Sequence, residues 1–199
     1  MTMLSAGIIN ESGGGTTVVE DWEGSSPLSD WSGDTGGVEV GNYNRYEGSY
    51  SVRGTYGSGI NVITKDGTDY GTADTPFSVY IHAQNDSDYG GIVFGGENSN
   101  GFNGFSGYVT YYGSATLYFS RYDSGSRTIL ANTSSTAPTE FRLVLSEWKS
   151  DGSMTVEARD LDGNVKATVS TTDGTYGSGR IGVQTAHPIT SDYSTVNGV

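Results

Sequence analysis

The sequence predicts an all-β domain, and three observations predict it. Val, Ile, Thr, Tyr, Phe and Trp together number 71, against 19 for Ala, Leu and Met. Branched and aromatic side chains suit a pleated surface, whereas Ala, Leu and Met favour helices. Short apolar runs recur along the chain, each bounded by Gly, Asn or Asp, as strands closed by turns are. No stretch shows the spacing that an amphipathic helix needs. Brief antiparallel strands at such regular intervals make a two-layer sandwich or a barrel.

Taken in order, residues 1–15 end in Ser-Gly-Gly-Gly and read as an arm or linker ahead of a single domain over 16–199. Met3, Leu4, Ile8 and Ile9 are apolar outside any strand pattern; they make the arm either a frayed terminus or an anchor onto a partner. Thr16–Asp21 opens the strand series, and Gly48–Gly54 and Gly59–Thr64 follow. Phe77–Gln84 alternates, with Phe77, Val79, Ile81 and Ala83 on one face and Ser78, Tyr80, His82 and Gln84 on the other. After Gly91–Gly95, the runs Gly107–Tyr112 and Ala115–Tyr122 flank Gly113-Ser114, which reads as a hairpin turn. Arg127–Asn132, Phe141–Glu147, Ser153–Asp160, Asn164–Thr171 and Arg180–Thr185 complete the series. Asp-Gly pairs at 66–67, 151–152, 162–163 and 173–174 mark tight turns, the last three where strands are expected to reverse. GTYGSG occurs at both 54–59 and 174–179, but the surrounding residues differ, so shared turn chemistry explains it better than a duplicated half.

Charge narrows the function. Lys and Arg number 10 and Asp and Glu 23, for a net charge of −13. Seven carboxylates precede Arg45, the first basic residue. Phosphate binding needs a basic surface, so a nucleic-acid role is excluded. No apolar run is long enough for a helical membrane span. The absence of Cys removes disulfides, thiolate metal sites and a cysteine nucleophile. So acidic a surface repels itself at low ionic strength and is screened at high salt, which fits a halophilic protein. MTMLSAGIINESGGG has no positive n-region, and Ser5 and Gly7 break its apolar stretch. The expectation is a chain not exported through a cleaved signal.

Several segments in order resemble a known family. They are Val18-Val19-Glu20-Asp21-Trp22-Glu23-Gly24, Tyr46-Glu47-Gly48-Ser49-Tyr50-Ser51-Val52, Pro76-Phe77-Ser78-Val79 and Gly90-Gly91-Ile92-Val93-Phe94-Gly95. Thr139–Leu145, Ser150-Asp151-Gly152, Asp160–Asn164 and Gly179–Val183 continue the order. It resembles the concanavalin A-like lectin/glucanase superfamily, laminin-G-like domains included, across nearly all of residues 16–185. The resemblance implies a jelly roll of two antiparallel sheets and no particular activity, because that fold hosts lectins, hydrolases, adhesion modules and viral proteins.

The Glu-x-Asp-x-Glu strand motif of the superfamily's glycosidases is absent. Its nearest pieces are Glu157-Ala-Arg-Asp160-Leu-Asp162 and Glu20-Asp21-Trp22-Glu23, and the aspartates of the first fall at an expected turn. His82 and His187 lack metal-site spacing, and no nucleophile–base–acid set is recognisable. The resemblance makes Glu20, Asp21, Glu23 and Glu47 candidate ligands of a structural Ca2+; otherwise they are a solvated acidic surface. Tyr118, Ser120 and Tyr122 share one face of their strand, and Tyr80, His82 and Gln84 share the polar face of theirs. If both strands lie in one sheet, the six residues form a tyrosine-rich face suited to sugars, to cross-strand packing or to a subunit contact.

The expected function is a non-enzymatic recognition protein needing no cofactor. Acidity, the arm and the missing export signal favour a homo-oligomeric virion surface component of a halophilic virus. Its arm would bind other virion proteins, and its sandwich would face host-surface glycans. The alternatives are an extracellular or cell-surface carbohydrate-binding module and a divergent glycoside hydrolase.

Overall fold

The computed structural model describes residues 9–10, 17–18, 22, 25–42, 50–55, 57, 59–66, 71–72, 77–83, 90–96, 101–136, 140–187 and 194–198. The strands in chain order begin with β1 (Ile9–Asn10), β2 (Thr17–Val18), β3 (Trp31–Gly33), β4 (Val38–Gly41), β5 (Ser51–Gly54) and β6 (Gly59–Lys65). They continue with β7 (Gly71–Thr72), β8 (Phe77–Ala83), β9 (Gly91–Gly96), β10 (Gly107–Tyr112), β11 (Thr116–Asp123) and β12 (Ser126–Ser134). The last are β13 (Glu140–Trp148), β14 (Ser153–Arg159), β15 (Val165–Thr172), β16 (Ser178–His187) and β17 (Ser194–Gly198). The helical elements among the described residues are two short 3-10 turns, Thr35–Gly37 and Phe102–Gly104.

The strands form two antiparallel sheets. One runs β15-β14-β13-β8-β17-β5-β4, with β1 and β2 attached beyond β8. The other runs β12-β11-β10-β9-β16-β6-β3, with β7 attached to β16. Alternation explains the layering. Val79 and Ile81 of β8, Leu143 and Leu145 of β13, and Val156 and Ala158 of β14 meet Ile92 and Phe94 of β9, Leu117 and Phe119 of β11, and Ile181 and Val183 of β16. Aromatic rings lock the layers: Tyr112 lies edge-on to Phe141 at 5.2 Å, and Phe94 to Trp148 at 5.3 Å. The expected two-sheet sandwich is therefore observed.

Three local features differ from expectation. Ile9–Asn10, placed by sequence in the free arm, is a strand of the sheet. The pairing of β17 with β8 ends at Gly198–Val79, and Ile9 and Asn10 pair with Ser78 and Phe77 just beyond. They thereby take up backbone groups that would otherwise go unpaired. Met3, Leu4 and Ile8 lie outside the described residues. The β10–β11 turn is centred one residue later than expected, on Ser114-Ala115, both with positive φ. Finally, Asp173-Gly174 does not reverse a hairpin but carries the chain from β15 in one sheet to β16 in the other.

Candidate binding face on the eight-stranded sheet

Tyr108 and Tyr112 of β10 and Leu117 and Phe119 of β11 point into the main core. The intervening Val109, Tyr111, Tyr118, Ser120 and Tyr122 therefore fall on the opposite, outer face of the eight-stranded sheet. Register then builds a row across that face. Tyr118 lies opposite Tyr111 on one side and Asn132 on the other, and Tyr111 lies opposite Gly91. Gly91 in turn lies opposite Gln184.

The Tyr111 and Tyr118 rings are 5.5 Å apart and tilted by 31°. Arg127 covers both, its guanidinium 5.1 Å from the Tyr111 centroid and 4.9 Å from that of Tyr118. Its Nε donates to Ser120 Oγ at 3.0 Å. Tyr118 is half-buried, while Arg127 and Asn132 are exposed and Ile129 is 48% exposed. The exposed part of the face therefore lies along β11 and β12, at the sheet's edge. Beside it, Val62, Val93, Phe105, Val109, Tyr111 and Tyr122 form a second core, against which Phe102 and Tyr118 pack.

This geometry revises the expected ligand set. Tyr80 and His82 lie on β8, between β13 and β17 in the nine-stranded sheet, and Gln84 lies outside the described residues. The two triplets therefore do not share one face. Ser120 and Tyr122 are on the predicted side of β11, but both are buried. Phe102 and Phe105 cover Tyr122, with rings at 5.6 and 6.1 Å. Burial pushes its phenol pKa up, against a smaller lowering by Arg127. Tyr118 alone of the predicted triplet reaches the surface. Tyr111, Arg127 and Asn132, which adjoin Tyr118, were not singled out in the sequence. Their positions follow from pairing the β10–β11–β12 meander, and the only sequence signal for that was its two turns.

A polar network anchors one end of the face. Tyr108 Oη lies 2.8 Å from both the carbonyl and Oδ1 of Asp173. Arg121 donates to Asp173 Oδ2 at 2.6 Å and to Asp123 Oδ2 at 2.9 Å, and Tyr176 Oη donates to Asp123 Oδ1 at 2.8 Å. The loop after β15 is thereby tied to β10 and β11.

The nine-stranded sheet carries a shallow depression of about 380 Å³ lined by Glu147, Ser153, Thr155, Ser170 and Thr172 among others. It offers hydroxyls but no ring, and Lys149 already holds Glu147. Of the carboxylates singled out in the sequence, Glu157 and Asp160 serve local structure. Glu157 pairs with Arg159. Asp160 accepts from the Asn164 backbone at 2.8 Å and pairs with Lys166 at 2.8 Å. Among the described residues no three of His, Asp and Glu gather to hold a metal. Glu20, Asp21, Glu23 and Glu47, the candidate calcium ligands, lie outside them.

Solved structures share this architecture. The carbohydrate-binding module CBM66 from Bacillus subtilis superposes with a TM-score of 0.57 at 15% identity, over 82% of this chain and 93% of that one. The chain has the concanavalin A-like jelly-roll fold. The exoplasmic/lumenal domain of VIP36 in its Ca2+/Man-bound form gives 0.58 at 13% identity, over 86% of this chain and 82% of that one. The legume lectin-like domain from Entamoeba histolytica gives 0.54 at 7%, over 81% and 86%. No family model and no curated protein matches the chain.

Proposed function

We propose that this jelly roll binds glycans on the β11–β12 side of its eight-stranded sheet and does not cleave them. The observation that carries the reading is Tyr118: a half-buried ring that reaches the surface, tilted against Tyr111 and flanked by the exposed Asn132. A pyranose offers C–H groups to such a ring and hydroxyls to such an amide. Supporting it, two structures of the same fold are a carbohydrate-binding module and a mannose-bound lumenal domain. These neighbours also favour an extracellular or cell-surface setting. The virion placement and homo-oligomer expected from sequence draw on charge and the arm, and the fold does not favour them.

Calcium enters the reading only as a structural ion, by analogy with VIP36, which is known in Ca2+-bound and metal-free forms. It is expected to raise the melting temperature when added back after chelation; no heat on titration and no thermal gain would remove it.

The glycan reading is tested by an array followed by calorimetry on the wild type, Tyr118→Ala and Ser170→Ala. Tyr118→Ala is expected to weaken binding about tenfold, the weight of one aromatic contact of about 1.4 kcal/mol. Ser170→Ala, in the depression of the other sheet, is expected to leave affinity unchanged. A wild type that retains no glycan, or an affinity lost only in Ser170→Ala, overturns the reading.

A further inference from the structure

Arg127 is unusual in a chain where acids outnumber bases by 23 to 10. Seven described lysines and arginines pair with a carboxylate. Arg127 and Arg142 do not, and the Nε of Arg142 is buried in a half-buried side chain. Among the described residues, then, Arg127 is the one exposed cation left without a carboxylate. It is also held in place. Two tyrosine rings lie against its guanidinium and Ser120 takes its Nε, while no described protein group accepts from its Nη atoms. A guanidinium so fixed presents a fork of N–H donors at low entropic cost, the geometry that fits a carboxylate or sulfate.

We propose that the face recognises an anionic saccharide, a sugar bearing a carboxylate or a sulfate ester, with the oxyanion on the Nη edge of Arg127 and the sugar ring against Tyr118. This rests on the glycan reading above and narrows it to a class of ligand. The net charge of −13 shapes the class further. The field of the whole protein repels dense polyanions, so one placed cation selects an isolated anionic unit in an otherwise neutral chain. Ile129, 48% exposed beside Arg127, fits an apolar sugar face and not a polyanion track.

The test measures affinities of the full chain for matched neutral, uronate-containing and sulfate-ester-containing oligosaccharides, with poly-glutamate as an acidic polypeptide. The wild type is expected to prefer the anionic sugars at least about tenfold, the usual strength of a charge-assisted hydrogen bond. The uronate and sulfate arms identify the source of the oxyanion. Arg127→Gln is expected to bring anionic and neutral sugars level, and Arg127→Lys to keep part of the preference. Circular dichroism verifies the fold of each variant, and the wild-type preference stands as a measurement independent of them. Equal wild-type affinity for neutral and anionic sugars overturns this inference and leaves the glycan reading intact. Failure to bind any sugar overturns both. A preference that survives in Arg127→Gln overturns it, as does poly-glutamate binding as tightly as the anionic sugars, which would point to an acidic protein partner.

Discussion

Burial alone would raise the pKa of Asp173, yet hydrogen bonds from Thr175, Tyr108 and Arg121 bring it down to about 2. The unfolded chain holds this carboxyl near its ordinary value of about 3.9, so between those values the unfolded state binds the extra proton and stability rises with pH. The contribution is complete above about pH 5 and is lost as pH falls through about 2, and with solvent screening of the network it amounts to about 1 kcal/mol. Asp173→Asn is expected to unfold at lower urea than the wild type at pH 7, with the gap closing near pH 2. A gap that stays constant over that range would show that the network works through shape and not charge. Only part of this was legible in the sequence. Asp173 stood out as half of an Asp-Gly turn, but Tyr108 and Arg121 reach it from β10 and β11, some 50 to 65 positions away. The same distance effect separates Tyr118 from Tyr122. Alternation puts both on one face, and only the arrival of Phe102 and Phe105 buries one of them.

Elements were most legible where alternation was long. The segments expected at Phe77–Gln84, Gly107–Tyr112 and Ser153–Asp160 appear as β8, β10 and β14 with ends moved by a residue or less. β3, β4 and β17 were missed, because three to five residues containing Gly leave too little pattern to distinguish a strand from a loop. The β10–β11 turn shows what pattern alone leaves out. Gly113 and Thr116 exchange both backbone hydrogen bonds, at 2.9 and 3.2 Å, which fixes a two-residue loop of Ser114 and Ala115 at φ 52° and 55°. Alanine pays a steric cost there that glycine does not. Ala115→Gly is therefore expected to stabilise the protein by about 0.5–1 kcal/mol, read from the urea midpoint. Gly91 is the opposite case. A Cβ there would sit 2.8 Å from the Thr110 carbonyl and 2.9 Å from Tyr111 Cβ. Gly91→Ala is expected to cost about 1–3 kcal/mol by forcing β9 away from β10. It should weaken glycan binding as well, since Tyr111 supports Tyr118.

For the molecule as a whole, acidity decides which conditions suit the fold. The described cations other than Arg127 and Arg142 are already matched to carboxylates, and over the full sequence acidic residues exceed basic ones by 13. Self-repulsion at −13 favours the expanded chain, where like charges stand farther apart. Salt weakens that repulsion as the Debye length falls from about 10 Å at 0.1 M to about 3 Å at 1 M. It also weakens the ion pairs, but exposed pairs contribute only about 0–1 kcal/mol each, so relief of the net charge dominates. The melting temperature is expected to rise by several degrees between 0.05 and 1 M NaCl. At this chain length about 2–4 °C corresponds to 1 kcal/mol. Screening also predicts the shape of the curve. Most of the gain should come below about 0.5 M and be the same for NaCl and KCl, because only ionic strength matters to it. A steady rise up to 3 M, steeper in sulfate than in chloride, would instead mean that exclusion of salt from the surface stabilises the fold. A flat curve in every salt would show that the carboxylates stand far enough apart to ignore one another, and the halophilic reading of the composition would fall with it.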